Sequence, residues 1–528
     1  MSLPVDASRS CADASIAPQG PRRRSSARLR AAASGLGRFV AVLAAVLAGL
    51  AHPGAPAQGL DPALLQRIDA FVEREREASR IPGIALAIVD AEGASHVRGF
   101  GEDGRGRPID ADTPFPIGSL TKSFTALLVR QASDAGALDV DAPVQRHLPW
   151  FRVADEQASR RITLRQLLNQ TSGLSRGDGM RALLHDGNHD GASSVEELAR
   201  GLAELPLQHA PGERYEYSNL NFVLLGAVLE QAMGQPWAAL VRERILDPLR
   251  MTHSDTDPAS ARLAGMTRLH RMEFGFPFAE QPRLPPGLAP TGGLVASAHD
   301  MASYLRLMID AGTVDGRRLV SAHSIEQMLA PASPPASARL LGAGFTFRYG
   351  EGWFVGPFGA AADARWHLGN LPSFVAWMVL LPATRQAFAL LINASTGLPL
   401  DDATAVMSRL PLGVANLLRG QPPPTGPSLP QAYRRFNAAA ALSLGIFAAA
   451  AWLAARARRG LWAWLLPAAT LVLFAALSRA TGLGPTILIA MAPDLALVLA
   501  LALGFAGLPL MLRALRFAGR RPARRSLR

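Results

Sequence analysis

The chain has 528 residues, enough for two or three domains, and its 54 basic and 42 acidic residues give a net charge of +12. The positive excess lies at the two ends, since seven arginines and two aspartates precede residue 59 while thirteen arginines and one aspartate follow residue 430. The remaining 34 basic and 39 acidic residues disfavour a nucleic-acid-binding domain, and a hydrophobic content of 49% excludes wholesale disorder.

Residues 1–58 have the pattern of an export signal. Arginines precede an apolar run over 39–51, and Ala55-Pro56-Ala57 follows as a small-x-small motif, which predicts cleavage after Ala57. The run is short for a membrane span, and an uncleaved anchor is the alternative. Cys11 is the only cysteine, so a disulfide framework, a cysteine-ligated zinc site and a cysteine nucleophile elsewhere in the chain are excluded.

The segment 59–420 has the pattern of a globular domain. Apolar spacing predicts helices, and shorter apolar runs predict strands; the helices are expected over 60–79, 119–135, 217–233, 297–311 and 400–419, and the strands over 84–90, 96–101, 353–355, 364–367, 373–381 and 387–392. Turns are expected at Gly369-Asn370 and over 382–384. Strands on either side of a mostly helical stretch predict an α+β domain, with an antiparallel sheet flanked by helices and an inserted α-rich lobe.

The C-terminal part has the pattern of a membrane domain. A proline-rich linker over 421–436 leads to apolar runs over 438–455, 461–477 and 495–512, so we predict about three transmembrane helices within 437–512 and a basic tail over 513–528. Ten arginines lie on one side of these runs and three on the other. The positive-inside rule then predicts a cytoplasmic C-terminus, membrane lipid as a partner and the domain over 59–420 in the periplasm or another extracytoplasmic space.

Lys122 is the only lysine among the 54 basic residues. Arginine cannot lose its proton in a protein, whereas a desolvated lysine can, so this position plausibly needs a titrating amine. Ser119 precedes it by three residues and shares its helix face, where the amine can take the hydroxyl proton. A serine at this spacing also arises by chance, so the motif alone is suggestive.

Two further elements carry groups suited to the same chemistry. The phenol of Tyr217, near a cationic Lys122, is expected to have a lowered pKa and to serve as general base or proton relay, and the Asn219 amide to orient both Lys122 and a substrate carbonyl. A surface tyrosine followed by a helix-capping asparagine is the alternative. The stretch His367-Leu368-Gly369 ends a strand-like run, where Gly369 leaves room for substrate and the Asn370 N–H is a second oxyanion donor; a packing histidine is the alternative.

In this order the three motifs S-x-x-K, Y-x-N and H-x-G resemble those of the class C β-lactamase and penicillin-binding-protein family. Three other stretches are similar to it: 167–174, 211–213 and 291–297. The resemblance covers roughly 60–420. It implies a β-lactamase/DD-peptidase-like fold and an acyl-serine mechanism with Ser119 as nucleophile, Lys122 and Tyr217 as the proton-transfer pair, Asn219 as the orienting residue and the Ser119 and Asn370 N–H groups as the oxyanion hole.

The third motif departs from that of β-lactamases, in which a lysine and a hydroxyl residue hold the substrate carboxylate. Here a histidine, partly charged at neutral pH, and Leu368 occupy those positions. We therefore expect a small ester, amide or D-amino-acid peptide as substrate, with no cofactor, metal or nucleic acid; the sequence leaves the oligomeric state open. The alternative is a catalytically weak sensor module that binds β-lactams or peptidoglycan and signals through its membrane helices.

Overall fold

The computed structural model describes residues 60–185, 194–282, 284–339, 344–397, 401–456, 468–469, 472 and 492–518. The export signal predicted over 1–58 lies outside these residues. The α-helices, in chain order, are α1 Pro62–Ala78, α2 Thr121–Asp134, α3 Glu156–Ser159, α4 Leu164–Leu168, α5 Arg176–His185, α6 Val195–Arg200, α7 Asn219–Met233, α8 Trp237–Val241, α9 Pro258–Leu263, α10 Ala289–Gly292, α11 Ala298–Ile309, α12 Ala322–Leu329, α13 Asp401–Leu418, α14 Leu429–Arg456 and α15 Pro493–Ala518.

An eight-stranded antiparallel sheet forms the centre of the fold, in the order β2-β1-β14-β13-β12-β11-β10-β9. The strands of the whole chain, in sequence order, are β1 Gly83–Val89, β2 Ser95–Gly101, β3 Phe115–Pro116, β4 Leu269–Glu273, β5 Phe276–Glu280, β6 Val295–Ala296, β7 Thr313–Val314, β8 Arg317–Arg318, β9 Ala336–Arg339, β10 Gly344–Tyr349, β11 Phe354–Phe358, β12 Ala361–Leu371, β13 Phe374–Leu381, β14 Gln386–Ile392 and β15 Ala394–Ser395. A smaller sheet has the order β15-β4-β5.

The large sheet separates two hydrophobic cores. Successive residues of β1 point to opposite faces, so Ala85 and Ala87 join one core while Ile84 and Leu86 join the other. The first, which we call the lobe core, is built with α2, α7 and α11, and the second, the terminal core, with α1 and α13. Burial of both faces explains why β1, β13 and β14 are continuous apolar runs.

The predicted α+β architecture is confirmed, since an antiparallel sheet carries helices on both faces and α2 to α9 occupy the chain between β2 and β4. Local signals account for several helix ends. In α1 the Asp61 side chain accepts a hydrogen bond from the Ala63 N–H, and Pro62 occupies a first-turn position where its missing N–H costs nothing.

Three details of the predicted elements are corrected. Gly369 and Asn370 lie inside β12, and the turn to β13 falls at 372–373 instead. Strands β9 and β10 were not expected. Helix α14 begins at Leu429, inside the segment for which a linker is expected, because Leu429, Ala432 and Tyr433 are buried and the first and last of these pack in the terminal core.

One described helix is long and apolar enough to cross a membrane, Leu429–Leu453, and its most apolar stretch is only 6% buried within the protein. A shorter apolar segment, Pro493–Phe505, begins α15. The middle apolar run lies almost entirely outside the described residues, and of the basic tail predicted over 513–528 only 513–518 are described, as the end of α15. The bundle of about three membrane helices therefore remains a prediction.

Candidate active site

Ser119 lies in a single 3-10 turn, Gly118–Leu120, which leads directly into α2. Its side chain is partly exposed, whereas both neighbouring residues are buried. Gly118 has a φ of +52°, in the left-handed region that disfavours residues with a Cβ. A Cβ at this position would lie 3.2 Å from the Gly369 Cα atom. Glycine thus allows the turn that carries Ser119 to pack directly against β12.

Lys122 is fully buried, one turn of helix beyond Ser119. Its Nζ lies 3.1 Å from the Ser119 Oγ, 2.8 Å from the Asn219 Oδ1 and 2.8 Å from the Thr291 carbonyl oxygen. These three neighbours of the amine are a hydroxyl, an amide oxygen and a carbonyl oxygen, and none of them is a carboxylate. Burial lowers the pKa of Lys122 well below its ordinary value, which favours the neutral amine.

The neutral amine has a definite orientation in this setting. It carries two hydrogens and one lone pair, and the Asn219 and Thr291 oxygens can only accept, so they take the two hydrogens. In this neutral form the lone pair is left for the third neighbour, so the Ser119 hydroxyl, whose Oγ lies 3.1 Å from the Lys122 Nζ, can donate its proton to the amine. The three distances therefore prepare Ser119 for deprotonation.

Tyr217 lies on the other side of the serine, with its ring centroid 5.1 Å from the Lys122 Nζ and its hydroxyl hydrogen-bonded to Ser119. Burial raises the pKa of Tyr217 to about 12. The expected lowering of this pKa is wrong, because the phenol is desolvated and the amine beside it is itself biased towards its neutral form. Tyr217 is thus a proton donor at neutral pH, which leaves Lys122 as the basic partner.

Asn219 is the first residue of α7, directly after Ser218, which occupies the N-cap position without a side-chain cap bond. The Asn219 amide oxygen is directed at Lys122, so the alternative of a helix-capping asparagine does not describe its role. Thr291 is a contributor that sequence reasoning did not identify as a site residue. It acts through its backbone carbonyl, and a carbonyl has no residue-type signature in a sequence.

His367 is 1% exposed and its two ring nitrogens are both engaged inside the protein. Nδ1 lies 2.8 Å from the Leu368 carbonyl oxygen, which can only accept, so this nitrogen carries the hydrogen. The Tyr349 hydroxyl then donates to Nε2 over 2.9 Å. Burial, followed by the nearness of Lys122, lowers the pKa of His367 to about 3. The expectation of a partly charged histidine is therefore wrong, and Tyr349 is a partner that the sequence did not reveal.

Gly369 is the point at which β12 passes closest to the nucleophile. A Cβ on Gly369 would lie 1.9 Å from the Ile117 carbonyl oxygen and 2.9 Å from the Ser119 nitrogen, so any side chain here would push the strand away. Ser119 and the strand edge are consequently brought together by two glycines, one on each side of the contact.

The Asn370 N–H points along the same edge. Leu371 and Phe374 face each other across a two-residue turn, which makes them a hydrogen-bonded pair, and the pattern alternates along antiparallel strands. The backbone N–H of Asn370 therefore points away from β13. On that other side β12 pairs with β11 only up to Trp366, so the edge at Asn370 is open towards the serine turn.

Aromatic side chains border the site on the side of His367. The Tyr217 ring lies 6.2 Å from the His367 ring, 6.4 Å from the Tyr349 ring and 6.4 Å from the Phe354 ring, and Tyr215 lies 5.8 Å from Tyr349. This wall is apolar and carries no fixed charge. Among the described residues, no group of three histidine, cysteine, aspartate or glutamate side chains is placed to hold a metal ion.

Comparison with known proteins identifies the family. The family model described as Beta-lactamase matches residues 68–409. Penicillin-binding protein 4 of Amycolatopsis lactamdurans is 32% identical over 268 residues, which are 50% of this chain and 68% of that protein. Protein flp of Staphylococcus aureus is 24% identical over 333 residues. These residues are 63% of this chain and span 63% of the length of protein flp.

Among solved structures, the D-amino acid amidase from Ochrobactrum anthropi shares the fold, with a TM-score of 0.55 and 22% identity. The match covers 68% of this chain and 100% of the amidase chain. The unmatched third of this chain corresponds in size to the two ends that carry the excess of arginine.

Proposed function

The chain belongs to the Beta-lactamase family of serine hydrolases, and we propose that it hydrolyses esters, amides or D-amino-acid peptides through an acyl-Ser119 intermediate. The observation that carries this proposal is the set of three contacts to the buried Lys122 amine, which leaves its lone pair for the serine hydroxyl. A neutral amine at hydrogen-bond distance from a serine hydroxyl is the arrangement that nucleophilic catalysis requires.

In the proposed acylation, the Ser119 Oγ attacks the substrate carbonyl carbon while its proton passes to the Lys122 Nζ. The N–H groups of Ser119 and Asn370 stabilise the negative oxygen of the tetrahedral intermediate. When the intermediate collapses, the bond to the leaving alcohol or amine breaks. The leaving group takes a proton from the Tyr217 hydroxyl, which recovers one from the Lys122 ammonium.

Deacylation repeats these steps with water as the nucleophile. Water donates a proton to the Lys122 amine as its oxygen attacks the acyl carbon, and the Lys122 ammonium passes that proton to the Ser119 oxygen as the bond to the acyl carbon breaks and the acid product leaves. The same groups serve as base and then as acid, as microscopic reversibility demands. Asn219 keeps the amine in place throughout, because it holds one of the two amine hydrogens.

A neutral substrate fits the third motif better than an anionic one. The pKa of His367 is held at about 3 by burial, so this residue brings no positive charge to neutral pH, and Leu368 brings no hydroxyl. The amidase whose fold the chain shares acts on D-amino acid amides, as its name states, which supports an amide or ester of a D-amino acid as the substrate class.

The chain is proposed to be tethered in a cell membrane with its hydrolase domain outside. The helix Leu429–Leu453 is apolar enough to span, and the ten-to-three distribution of arginines around the apolar runs favours a cytoplasmic C-terminus. A C-terminal alkaline phosphatase fusion tests this topology, because that reporter folds only after export. It should be inactive, and an active fusion would contradict the orientation.

The catalytic proposal is tested with a fluorophosphonate probe and a panel of p-nitrophenyl esters, D-amino-acid amides and a chromogenic cephalosporin. Wild type should be labelled and Ser119→Ala should be neither labelled nor active. Ser123→Ala is the matched control, because Ser123 is a buried serine of the same helix that contacts the Leu120 carbonyl rather than the site. Labelling that persists in Ser119→Ala would identify another nucleophile.

A further inference from the structure

The hairpin formed by β4 and β5 exposes two large aromatic side chains on one face. Phe276 is 54% exposed and Phe278 is 52% exposed, whereas most aromatic residues of the hydrolase domain are buried. The two residues are separated by one position in a strand, so their side chains point in the same direction. Strand β5 is the outer strand of its sheet, so no further strand covers it among the described residues.

The tip of this hairpin is joined to the beginning of α14. The Asn437 Nδ2 donates to the Phe274 carbonyl oxygen over 3.1 Å, and the Phe274 and Phe436 rings lie 6.2 Å apart. The buried Tyr433 hydroxyl donates to the Met272 carbonyl oxygen. These contacts fix the hairpin beside residues 433–437 of the helix.

The turn of the hairpin is a two-residue loop that lies close to α14. Phe274 has a φ of +53°, a left-handed conformation that is unusual for a bulky side chain, and Gly275 follows at +88°. A Cβ on Gly275 would lie 3.1 Å from the Tyr433 Cβ. Glu273 and Phe276 pair across this two-residue loop, where positive φ angles at both positions match the twist of the strands, and the loop packs against the first turns of α14.

The contact lies where the helix changes from polar to apolar. Arg434 and Arg435 are exposed just before Asn437, and the apolar run begins at Ala438. Beyond that point the helix exposes large apolar side chains, with Leu442 at 67% and Ile446 at 60%. In a membrane helix this change marks the boundary between headgroups and hydrocarbon.

A cation accompanies the aromatic residues of the hairpin. The Arg80 guanidinium lies 4.7 Å from the centre of the Phe276 ring and donates to the Gly275 carbonyl oxygen over 3.4 Å. Arg434 and Arg435 are exposed on the helix segment that contacts the hairpin tip, and the hairpin's own acidic residues, Glu273 and Glu280, are paired with Arg271. Aromatic rings beside arginines are the combination that anionic lipid surfaces attract.

We propose that the β4–β5 hairpin is a second membrane contact, which inserts Phe276 and Phe278 into the interfacial layer of the bilayer that α14 crosses. This inference rests on the proposed membrane tether and does not depend on the proposed chemistry. The hydrolase domain then lies on the lipid surface in one fixed orientation instead of moving freely on a linker. The small sheet also connects the hairpin to the active site. Strand β15 pairs with β4 of the hairpin, and the Ser395 hydroxyl in β15 donates to the Asn370 side chain over 3.1 Å.

The single cysteine allows a direct test on the full-length chain. In a Cys11→Ser background, Phe278→Cys is labelled with the fluorophore NBD and the protein is reconstituted into vesicles of phosphatidylcholine and phosphatidylglycerol. We expect blue-shifted emission and at least about a twofold loss of intensity with shallow doxyl-labelled lipids, because an interfacial side chain is buried to headgroup depth. Arg317→Cys is the control, since it is exposed on a hairpin that packs through Val314 and Leu319 on the lobe core, opposite to α14.

Three measurements separate the outcomes. Flotation with the vesicles tests the tether, fluorophosphonate labelling of Ser119 tests folding and chemistry, and NBD quenching tests the hairpin. A protein that floats and is labelled, yet reports water at both Phe278→Cys and Phe276→Cys, overturns the hairpin contact alone. A protein that does not float overturns the tether and the hairpin contact together. The labelling of Ser119 tests the catalytic proposal independently of both.

Discussion

At the scale of single residues, the Lys122 side chain is fully buried, its pKa is lowered by that burial, and its amine lies beside the Ser119 hydroxyl. Burying an amine without a carboxylate is costly for folding, because the unfolded chain holds the charged form in water. Between the lowered folded pKa and the ordinary value of about 10.5, the unfolded chain binds the additional proton, so this residue makes stability rise with pH in that window. A destabilised buried base is the expected cost of a catalytic amine.

The first prediction concerns that amine. We expect Lys122→Arg to reduce kcat/KM for a p-nitrophenyl ester by roughly 10²–10⁴, because the charge remains and the removable proton does not. In wild type, kcat/KM should rise with pH and reach its plateau well below the range of an ordinary lysine. Arg317→Lys, the reverse exchange at an exposed position, is the control. Near-normal turnover in Lys122→Arg would mean that the amine supplies only positive charge.

The second prediction concerns substrate choice at the third motif. We expect kcat/KM for a neutral ester or D-amino-acid amide to exceed that for a chromogenic cephalosporin by at least about tenfold, or roughly 1.4 kcal/mol. A charge-assisted hydrogen bond to a carboxylate contributes about 1.5–3 kcal/mol, and His367 and Leu368 provide neither the charge nor the hydroxyl. The preference should not change between about pH 8 and pH 5, because the pKa of His367 is about 3.

The double variant with His367→Lys and Leu368→Thr provides the comparison for this prediction. It introduces a cation at position 367 and a hydroxyl at position 368. The kcat/KM for the cephalosporin should therefore rise relative to that for the neutral ester or amide. Efficient cephalosporin turnover by the wild type would show that another group recognises the carboxylate.

At the scale of elements, the site depends on how β12 is held against the serine turn and, through a side-chain contact, against β10, which lies two strands away in the sheet. The Tyr349 hydroxyl in β10 fixes the ring of His367 and thereby the strand that carries Gly369 and Asn370. Both contacts of β12, with Tyr349 in β10 and with the serine turn, join residues that are distant in sequence. The active-site edge is consequently sensitive to a residue that does not itself reach the serine.

The third prediction tests this contact. Tyr349→Phe leaves the buried His367 Nε2 without its donor, and we expect a loss of about 1–3 kcal/mol in the free energy of unfolding. Urea denaturation with an unchanged m-value would measure it. The pKa of His367 should also rise, since the nitrogen that accepted from Tyr349 becomes available to a proton, and this is detectable by NMR titration. An unchanged midpoint together with an unchanged titration would exclude a positioning role for Tyr349.

The elements with strong periodicity were predictable from the sequence. Helix α1 and strand β1 fall within a few residues of their expected bounds, and the spacing of Ser119 and Lys122 placed them on one helix face. The sequence predicts a turn at Gly369, whereas this residue lies inside β12. A glycine can be present for a turn or for close approach of another segment, and only the fold reveals the Ile117 carbonyl oxygen that requires it.

Burial accounts for most of what the sequence did not reveal about the site. The pKa of Tyr217 is governed by desolvation, which depends on residues distant in sequence such as Phe354. The convergence of the three motifs was expected from resemblance to a family, because spacing alone does not bring residues 119, 217 and 367 together. The contact of Tyr349 with His367 was not predicted because the sequence pattern does not indicate a strand at β10.

At the scale of the whole molecule, the boundary between the hydrolase domain and the proposed membrane helix does not coincide with the proline-rich segment. Leu429 and Tyr433 are buried in the terminal core, so the first two turns of α14 belong to the packing of the hydrolase domain. The Tyr433 hydroxyl lies 2.8 Å from the Thr396 hydroxyl, next to Ser395 of β15. One helix thus contributes both to the domain core and to the apolar surface beyond Ala438.

The last prediction follows from this shared helix. Of two soluble fragments, 59–437 should be more stable than 59–428, because the shorter one loses a buried leucine and a buried tyrosine, each worth about 1.5–3 kcal/mol of burial. Both lack the apolar run after Asn437, and both retain Ser119, Lys122, Tyr217 and the His367 motif. Thermal unfolding and ester hydrolysis compare them, with Tyr433→Ala in the longer fragment as the matched variant of intermediate stability. Equal unfolding temperatures for all three would mean that α14 only tethers the domain and that the packing of Tyr433 contributes nothing to it.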